Sequence, residues 1–231
     1  MKHELFSYRF AKEIIEHPTH EIIRKEIIEA VEKCPVYIYP NKSENESLDV
    51  VQQLLNSFFD RELAVENHWE YHPRATDIEA SGLEADFKKT EKGIGVQIEI
   101  QFGNMARWYS DLFKFQAAYS ANMINLGVSI VPFKSLADRI DSNVTQFERC
   151  KRELPAADLS ITLPILLIGL SAEDTETIDV STSQFDGIKG PNGIGTKENR
   201  FRIINGFLEG TPITDIGPDS EPGPIPQKVG I

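Results

Sequence analysis

A short alternating segment near the middle of the chain carries the side chains best suited to chemistry. Polar and apolar residues alternate over residues 97–102. Side chains of a β-strand point to opposite faces with a period of two, so this pattern predicts a strand with Glu99 on its polar face. Asp86 precedes it, and residues 88–93 suit a hairpin turn that brings Asp86 beside Glu99. Two adjacent carboxylates repel each other, and a bound divalent cation relieves that repulsion.

These residues form a natural ligand set for Mg²⁺. The set comprises the carboxylates of Asp86 and Glu99 and the backbone carbonyl of Ile100, because magnesium prefers oxygen ligands and keeps several waters. Such an ion lowers the pKa of a bound water and binds phosphate oxygens, which is the chemistry of phosphodiester cleavage. Gln101 shares the Glu99 strand face and is placed to orient the attacking water. In the alternative interpretation, Glu99 and Gln101 are the solvent face of an ordinary strand and Asp86 is a turn residue.

The apolar periodicity predicts the elements that position this segment. Helical spacing is found in residues 10–33 (interrupted near Pro18), 48–69, 108–123, 133–140 and 144–153. Strands are predicted at 35–40 (or an extended link), 85–87 paired with 95–102, 126–132 and 163–170. Irregular structure is predicted at 41–47, 71–84, 187–199 and 211–231. Strands interspersed with helices predict an α/β fold in which a mixed central β-sheet is flanked by helices.

Charge and composition limit the possible functions. The net charge is −12, from 36 acidic and 24 basic residues. This charge argues against a protein that coats nucleic acid without sequence preference, since such binding depends on a basic surface. No apolar run approaches the length of a membrane span and the start is unlike a signal peptide, so we expect no membrane partner. Cys34 and Cys150 match no metal or redox spacing, and we expect buried thiols in a reducing cytosol.

The segment around Glu99 also resembles a known family. Residues 98–104 (Ile-Glu-Ile-Gln-Phe-Gly-Asn), preceded by Asp86-Phe87, resemble the catalytic strand of the type II restriction endonucleases of the BglII, BstYI and BamHI group. The similarity covers roughly residues 55–185 and continues through residues 59–69, 111–114, 127–136, 144–148 and 164–170. It implies the restriction-endonuclease-like fold and magnesium-dependent, sequence-specific cleavage of double-stranded DNA in a prokaryotic cytoplasm, as part of a restriction-modification system. It also implies one catalytic and DNA-recognition domain over residues 1–210, followed by a Pro/Gly-rich tail over 211–231.

The resemblance also implies roles for individual active-site residues. By it Asp86 and Glu99 are the metal ligands, and Gln101 stands where the wider fold family usually has lysine. The turn between Asp86 and Glu99 is longer here than in those enzymes, so Asp77 and Glu84 remain alternatives to Asp86 as the ligand.

His72 falls at a further active-site position of these enzymes. There it would hold a water or a phosphate oxygen. A partly exposed loop histidine without a catalytic role is the alternative interpretation.

Three polar residues are implied to read the DNA sequence. Asn104, Ser142 and Asn143 align with residues that contact the recognition site in these enzymes, and amides and hydroxyls suit major-groove readout. Ser142 is alternatively a helix cap, with Thr145 or Gln146 as its partner. The two roles are compatible with each other.

Basic residues supply candidates for contact with DNA phosphates, which position a protein without specifying sequence. Arg107, Lys114 and Lys134 are such candidates. Lys189 and Lys197 lie in a segment that resembles the C-terminal region through which these enzymes approach DNA.

A palindromic target implies a two-fold homodimer, because each subunit then reads one half-site and cuts one strand. The predicted helices at 108–123 and 144–153 are apolar on one side and are candidate dimer surfaces. The resemblance further implies a target with a GATC core, cut to leave 5′ overhangs.

Two other classes of protein compete with this interpretation. A repair or mobile-element nuclease of the same fold would use the same carboxylates without tight selectivity for a short palindrome. A catalytically silent, acidic interaction protein would fit the net charge of −12. It would not need amides and hydroxyls directly after the strand that carries Glu99.

Overall fold

The chain alternates strands and helices along its length. The strands are β1 (Lys2–Tyr8), β2 (Val36–Ile38), β3 (Glu70–Tyr71), β4 (Phe87–Glu91), β5 (Ile94–Ile100), β6 (Leu126–Pro132), β7 (Ile165–Ser171) and β8 (Thr177–Asp179). The α-helices are α1 (Ala11–Ile15), α2 (Glu21–Lys33), α3 (Gln52–Phe59), α4 (Met105–Ser120), α5 (Lys134–Ala137), α6 (Phe147–Glu153) and α7 (Lys197–Leu208). A π-helical segment, Asp60–Glu66, continues α3.

The computed structural model describes residues 1–40, 42–44, 46–78 and 82–229. Residues 41 and 45 of the predicted polar loop, residues 79–81 of the predicted irregular segment, and residues 230–231 of the predicted tail therefore lie outside the described residues. Among the described helices, none has both the length and the apolar character needed to cross a membrane.

Six strands form one mixed sheet in the order β1-β7-β6-β5-β4-β3. Strands β5, β6 and β7 are parallel, and β1, β4 and β3 pair antiparallel to their neighbours. A separate parallel pair joins β2 to β8. The predicted mixed sheet flanked by helices is confirmed. Parallel β5 and β6 bring their carboxyl ends to one edge of the sheet, which is where ligands bind in open α/β sheets.

Helices cover both faces of this sheet and create two hydrophobic cores. The larger core joins one face to α2, α3 and α7. The second core joins the other face to α4 and α6 through residues such as Trp108, Phe115 and Phe147. The polar face of β5 therefore packs toward α4, and Glu99 is only 1% exposed. The alternative in which Glu99 lies on a solvent face of an ordinary strand is wrong.

The predicted hairpin forms with a different turn. Strand β4 extends to Glu91, so residues predicted as turn pair with β5, and Phe87 lies opposite Ile98. The turn itself is Lys92-Gly93, with φ of 48° and 84°. Two consecutive positive φ angles match the type I′ turn, whose twist suits a two-residue hairpin. The greater separation of Asp86 and Glu99 along the chain is therefore taken up by longer strands.

Most predicted helices are present but shorter. The helix predicted at 10–33 is broken at Pro18 as expected, and the prediction at 48–69 becomes α3 and its π-helical continuation. The helix predicted at 144–153 begins only at Phe147. Strands β1, β3 and β8 and helix α7 were not predicted. The tail after α7 packs on the domain, and the Val229 N–H donates to the Tyr71 carbonyl at 3.1 Å.

The predicted dimer surfaces on α4 and α6 need correction. Their apolar sides pack into the second core of the same subunit, through Leu112 and Phe115 of α4 and Phe147 and Cys150 of α6. These sides are therefore inside the protomer and unavailable to a partner.

Candidate active site and DNA-facing surface

Two carboxylates converge where β4 and β5 meet. Phe87 pairs with Ile98, so continuing the antiparallel register by one residue places Asp86 opposite Glu99. The Asp86 Oδ2 atom accepts a hydrogen bond from the Ile100 N–H at 2.7 Å. Burial raises the pKa of Asp86 to about 6. Burial, and then the charge of Asp86, raise the pKa of Glu99 well above its usual value. Ionised together, these carboxylates require a compensating cation.

Helix α4 supplies an ammonium to this carboxylate pair. The Lys114 Nζ contacts Glu99 Oε2 directly and lies 2.9 Å from Asp111 Oδ1 and 3.3 Å from the Glu84 carbonyl. The Lys114 side chain is 12% exposed. Burial alone would lower its pKa, but the charges of Glu99 and Asp111 outweigh that effect and raise it. Lys114 was predicted to contact DNA phosphate; in this structure its ammonium is bound by Glu99, Asp111 and the Glu84 carbonyl, and the phosphate contact stays a prediction.

Gln101 makes two hydrogen bonds within the protein. Its Nε2 donates to Asp111 Oδ2 at 2.9 Å, and its Oε1 accepts from the Gly103 N–H at 2.8 Å. The second N–H of Nε2 and the second lone pair of Oε1 are not used by these bonds, so the role of Gln101 in orienting a water stays a prediction. Its observed position also fixes the carboxylate of Asp111, which itself holds Lys114.

The donor set suits a hard divalent cation. The available donors are oxygens, and the ammonium of Lys114 already occupies a cation position against Glu99. Among the described residues, no cluster of three or more His, Cys, Asp or Glu side chains forms a complete metal site. A cation held by Asp86 and Glu99 would therefore complete its shell with the Ile100 carbonyl, water and phosphate oxygens, as magnesium commonly does.

His72 lies at the mouth of the site. The backbone N–H of His72 donates to the Asp86 carbonyl at 3.0 Å, and both residues line a cavity of about 230 Å³. Burial and then the charge of Lys228 lower the pKa of His72. The Nδ1 atom lies 3.8 Å from Glu84 Oε2. A neutral imidazole here can accept a hydrogen bond from a water or donate one to a phosphate oxygen.

Asp60 is a candidate functional residue that sequence reasoning missed. It lines the same cavity as Asp86, and its Oδ2 accepts a hydrogen bond from the Tyr71 hydroxyl at 3.2 Å. Burial is the main cause that raises the pKa of Asp60 to about 7. Its only sequence signal is an acidic residue directly after the apolar helix α3.

The two alternatives to Asp86 are placed differently. The Glu84 Oε2 atom is bound by Lys228 Nζ at 2.6 Å, which holds this carboxylate toward the tail. Asp77 is exposed. Asp86, with its hydrogen bond to the backbone of β5, remains the better candidate for a metal ligand.

The predicted base-reading residues come together. Asn104, Ser142 and Asn143 line one concave surface of about 380 Å³ beyond the carboxyl end of β5. Asn104 caps α4 by accepting from the Arg107 N–H at 3.1 Å, and it forms an antiparallel bridge with Val144. This surface presents amide and hydroxyl groups beside the candidate active site.

Ser142 does not cap the following helix. Its hydroxyl donates to Asp141 Oδ1 at 3.1 Å. The helix begins at Phe147, and its N-cap residue Gln146 makes no side-chain capping bond. The helix-cap alternative for Ser142 is wrong, because the chain between Ser142 and Phe147 is not yet helical.

The remaining phosphate-contact candidates differ in availability. Arg107, Lys134 and Lys189 are exposed, and Lys134 forms an ion pair with Asp138. Lys197 is partly buried, with its Nζ 3.4 Å from the Tyr71 hydroxyl and 3.2 Å from the Pro226 carbonyl. It thus faces the tail and the cavity beside Asp60.

A mixed sheet that holds two acidic side chains on adjacent strands, with a polar concavity at the strand ends, is the arrangement expected of a nuclease of the restriction-endonuclease-like fold. Residues 3–170 match the family model described as restriction endonuclease BglII/BglIII. The chain therefore belongs to this family of restriction endonucleases. Its family is one of type II, sequence-specific endodeoxyribonucleases, which favours an enzyme over the silent interaction protein.

Solved structures agree on the fold. The crystal structure of restriction endonuclease BglII complexed with a DNA 16-mer matches with a TM-score of 0.62 and 20% identity, covering 81% of this chain and 79% of that chain. The structure of free BglII matches with a TM-score of 0.53 and 19% identity, covering 74% and 80% respectively. No curated protein matches the chain.

Proposed function

We propose that this protein cleaves double-stranded DNA at a short palindrome in a magnesium-dependent reaction. The observation that carries the proposal is the buried Glu99 opposite Asp86, with the ammonium of Lys114 bound to Glu99. This arrangement concentrates negative charge at one point, where a divalent cation would be held by Asp86, Glu99 and the Ile100 carbonyl.

The protein's own groups would prepare the site for hydrolysis. When bound, the cation supplies a water of lowered pKa and stabilises charge on the phosphate. The Ile100 N–H donates to Asp86 Oδ2 and fixes that carboxylate. Gln97 Nε2 donates to Glu99 Oε1 at 2.7 Å and fixes the second carboxylate. In the reaction, the water oxygen bonds to phosphorus as the bond from phosphorus to the leaving sugar oxygen breaks. A proton of the water passes to solvent and the sugar oxygen takes up a proton.

The concave surface formed by Asn104, Ser142 and Asn143 is proposed to read base edges in the major groove. Amides donate and accept hydrogen bonds in patterns that match adenine and other base edges. The solved relative BglII is complexed with a DNA 16-mer, which supports DNA as the ligand; we place the DNA at this end of the sheet because the polar concave surface lies there. We propose a GATC core and 5′ overhangs for the target.

A palindromic target requires two active sites related by a two-fold axis, so the enzyme is proposed to act as a homodimer. Two side chains on the outer face of α4 support a surface for such contact: Tyr109 is 44% exposed and Phe113 is 61% exposed. A restriction endonuclease acts on DNA that enters a cell, and we propose a prokaryotic cytoplasm as its location.

A digest tests this function. The purified protein is incubated with plasmid and phage-sized DNA in Mg²⁺, Ca²⁺ or EDTA, and the fragment ends are sequenced. We expect discrete fragments in Mg²⁺ only, with ends at one palindrome. Fragments that avoid all GATC-containing sites would refute the GATC core alone. Random ends would favour the repair or mobile-element class, and intact DNA in Mg²⁺ would refute the proposed function.

A further inference from the structure

Lys114 occupies a position that surface contact with DNA does not explain. It lies one turn after Asp111 on α4, and both side chains point to the sheet rather than to solvent. Its ammonium contacts Glu99 Oε2 and Asp111 Oδ1, and it also donates to the Glu84 carbonyl. Three oxygens, from two carboxylates and one backbone carbonyl, therefore contact a single positive charge.

We infer that Lys114 is a catalytic residue of DNA cleavage, whose ammonium balances Glu99 in the metal-free enzyme and contacts the scissile phosphate when a cation takes its place. This inference rests on the proposed function, because it concerns the same carboxylate site. In this inference the positive side chain that faces the reacting phosphate comes from helix α4. It does not come from the strand that carries Glu99.

The contacts of Glu99 explain why the ammonium must move. Glu99 Oε1 is already bound by Gln97 Nε2 at 2.7 Å, and Oε2 is the atom that Lys114 contacts. A divalent cation bound to Glu99 repels an ammonium at the same oxygen. A phosphate brings negative oxygens to the same point, so the displaced ammonium has an anionic partner within its reach. The flexible four-carbon stem of lysine allows this shift without movement of the helix.

Asp111 keeps the ammonium close during this exchange. It is 5% exposed, and its Oδ1 lies 2.9 Å from Lys114 Nζ. Its Oδ2 accepts from Gln101 Nε2 at 2.9 Å, and Gln101 is locked in turn by the Gly103 N–H. Asp111 and Gln101 are thus positioning residues that tether Lys114 beside Glu99 but do not contact the phosphate.

Two measurements with Lys114→Met should change in opposite directions. Removing the competing ammonium should tighten Ca²⁺ binding, measured by calorimetry and by the Ca²⁺-induced rise in melting temperature. Single-turnover cleavage in saturating Mg²⁺ should fall by about 100-fold or more, as when one charge-stabilising donor is lost from an active site. DNA affinity measured in Ca²⁺ should change little. Lys25→Met is the matched control, since Lys25 is 67% exposed and pairs with the surface residue Glu29.

A purely structural counter-ion predicts a different result. In that case Lys114→Met would lower the melting temperature, Ca²⁺ affinity and DNA affinity together. That result would overturn the inference, as would wild-type cleavage by the variant. Lys114→Arg keeps the positive charge and serves as the second variant in case Lys114→Met does not fold. It should retain measurable cleavage.

Residue 101 offers an independent position for an ammonium. Gln101 contacts the second oxygen of the same Asp111 carboxylate that holds Lys114. The double variant Gln101→Lys with Lys114→Met should therefore recover part of the lost cleavage rate, whereas Gln101→Leu with Lys114→Met should not. Equal rates for the two double variants would overturn the inference. If wild-type protein fails to cleave any DNA, the proposed function fails instead, which separates the two outcomes.

Discussion

Asp86 and Ile100 are joined by a hydrogen bond from the Ile100 N–H to Asp86 Oδ2 at 2.7 Å. The backbone pairing of β4 with β5 ends at Phe87 and Ile98. Beyond that point the Asp86 side chain, rather than a backbone carbonyl, accepts the hydrogen bond from β5. This bond fixes one oxygen of Asp86 against β5, beside the backbone carbonyl proposed as a ligand. The geometry of the candidate metal site therefore depends on the hairpin register rather than on a flexible loop.

Loss of either proposed ligand should abolish cleavage. Asp86→Asn and Glu99→Gln remove the charge and preserve the shape, so we expect cleavage in Mg²⁺ to fall by at least about 100-fold while folding is retained. Cleavage rates and DNA binding in Ca²⁺ are the measurements, and specific binding should survive. Glu91→Gln is the control, since Glu91 lies at the hairpin end of β4. Normal turnover by Asp86→Asn would show that another acidic residue is the ligand.

His72→Ala should slow cleavage without abolishing it. His72 lines the cavity with Asp86 but is bound to it only through the backbone. Its φ of 51° is unusual for a residue other than glycine and indicates that the surrounding structure holds it in place. Single-turnover rates for His72→Ala and His72→Asn test this role. An unchanged rate in both variants would support a loop histidine without catalytic function.

The local part of the site was predictable from the sequence. The alternation around Glu99 and the nearby Asp86 depend on strand period and hairpin geometry, both of which act over short separations. Lys114 was predicted only as a phosphate contact and Asp111 was not assigned, because the contact of Lys114 with Glu99 and Asp111 arises only when α4 folds back across the sheet. The position of Asp60 depends in the same way on the packing of α3.

Two of the elements that were not predicted, β1 and α7, were missed for identifiable reasons. Strand β1 is an edge strand of the sheet and carries exposed Lys2 and Glu4, so its apolar alternation is weak, as is common for sheet edges. Helix α7 follows a glycine-rich loop and contains Asn205 and Gly206, which have low helix propensity. Its start signal was present in Thr196, whose side chain accepts from the Asn199 N–H.

Asn104→Asp should separate DNA reading from helix capping. Aspartate caps a helix as well as asparagine does, so the stability of α4 should be retained. The change removes the amide donor and adds a charge that DNA repels. We expect specific DNA affinity in Ca²⁺ to fall by about 10-fold or more, in line with loss of a base contact. Fluorescence anisotropy with cognate and scrambled duplexes is the measurement.

Ser110→Ala serves as the control for this comparison, because Ser110 is exposed on the same helix. Asn143→Ala should also weaken cognate binding, since Asn143 lines the same surface as Asn104. If Asn104→Asp and Asn143→Ala bind cognate DNA like wild type, the base-reading role of this surface is refuted.

Asp60 should make the metal-free protein less stable as pH rises. Its pKa is about 7 in the folded protein, where burial and the charge of Asp86 raise it against the lowering effect of Lys197 and Arg200; in an unfolded chain it is about 3.9. Between these values the folded state keeps a proton that the unfolded state has released. The free energy of unfolding therefore decreases from about pH 4 to about pH 7 and then levels.

Asp60→Asn should flatten this decrease, because the amide does not ionise and can still accept from the Tyr71 hydroxyl. Denaturant unfolding in EDTA at several pH values measures the slope. Asp86 and Glu99, whose pKa values are also raised, leave a residual slope of the same sign in both proteins. Asp186→Asn, at an exposed site, is the control. An identical pH profile for Asp60→Asn and wild type would contradict the buried, proton-binding state of Asp60.

Asn205→Ala should release the C-terminal tail. The prolines of the tail lack N–H groups and cannot donate backbone hydrogen bonds. The tail is held instead through its carbonyls, and Asn205 Nδ2 of α7 donates to the Pro222 carbonyl at 2.5 Å. Asn205 Oδ1 also accepts from Arg61 Nε at 2.6 Å, and the residue is 2% exposed. Truncation leaves these buried groups unpaired and should cost about 1–3 kcal/mol of stability.

Limited proteolysis with mass spectrometry should then show faster cuts between residues 211 and 229 in Asn205→Ala than in wild type. Gln227→Ala is the control, since Gln227 is exposed within the tail. Because Lys228 pairs with Glu84 beside His72, release of the tail should also raise the pKa of His72. Histidine NMR titration measures this change, since the Lys228 charge that lowers the pKa would be removed. Unchanged proteolysis and titration would show that the tail is held without Asn205.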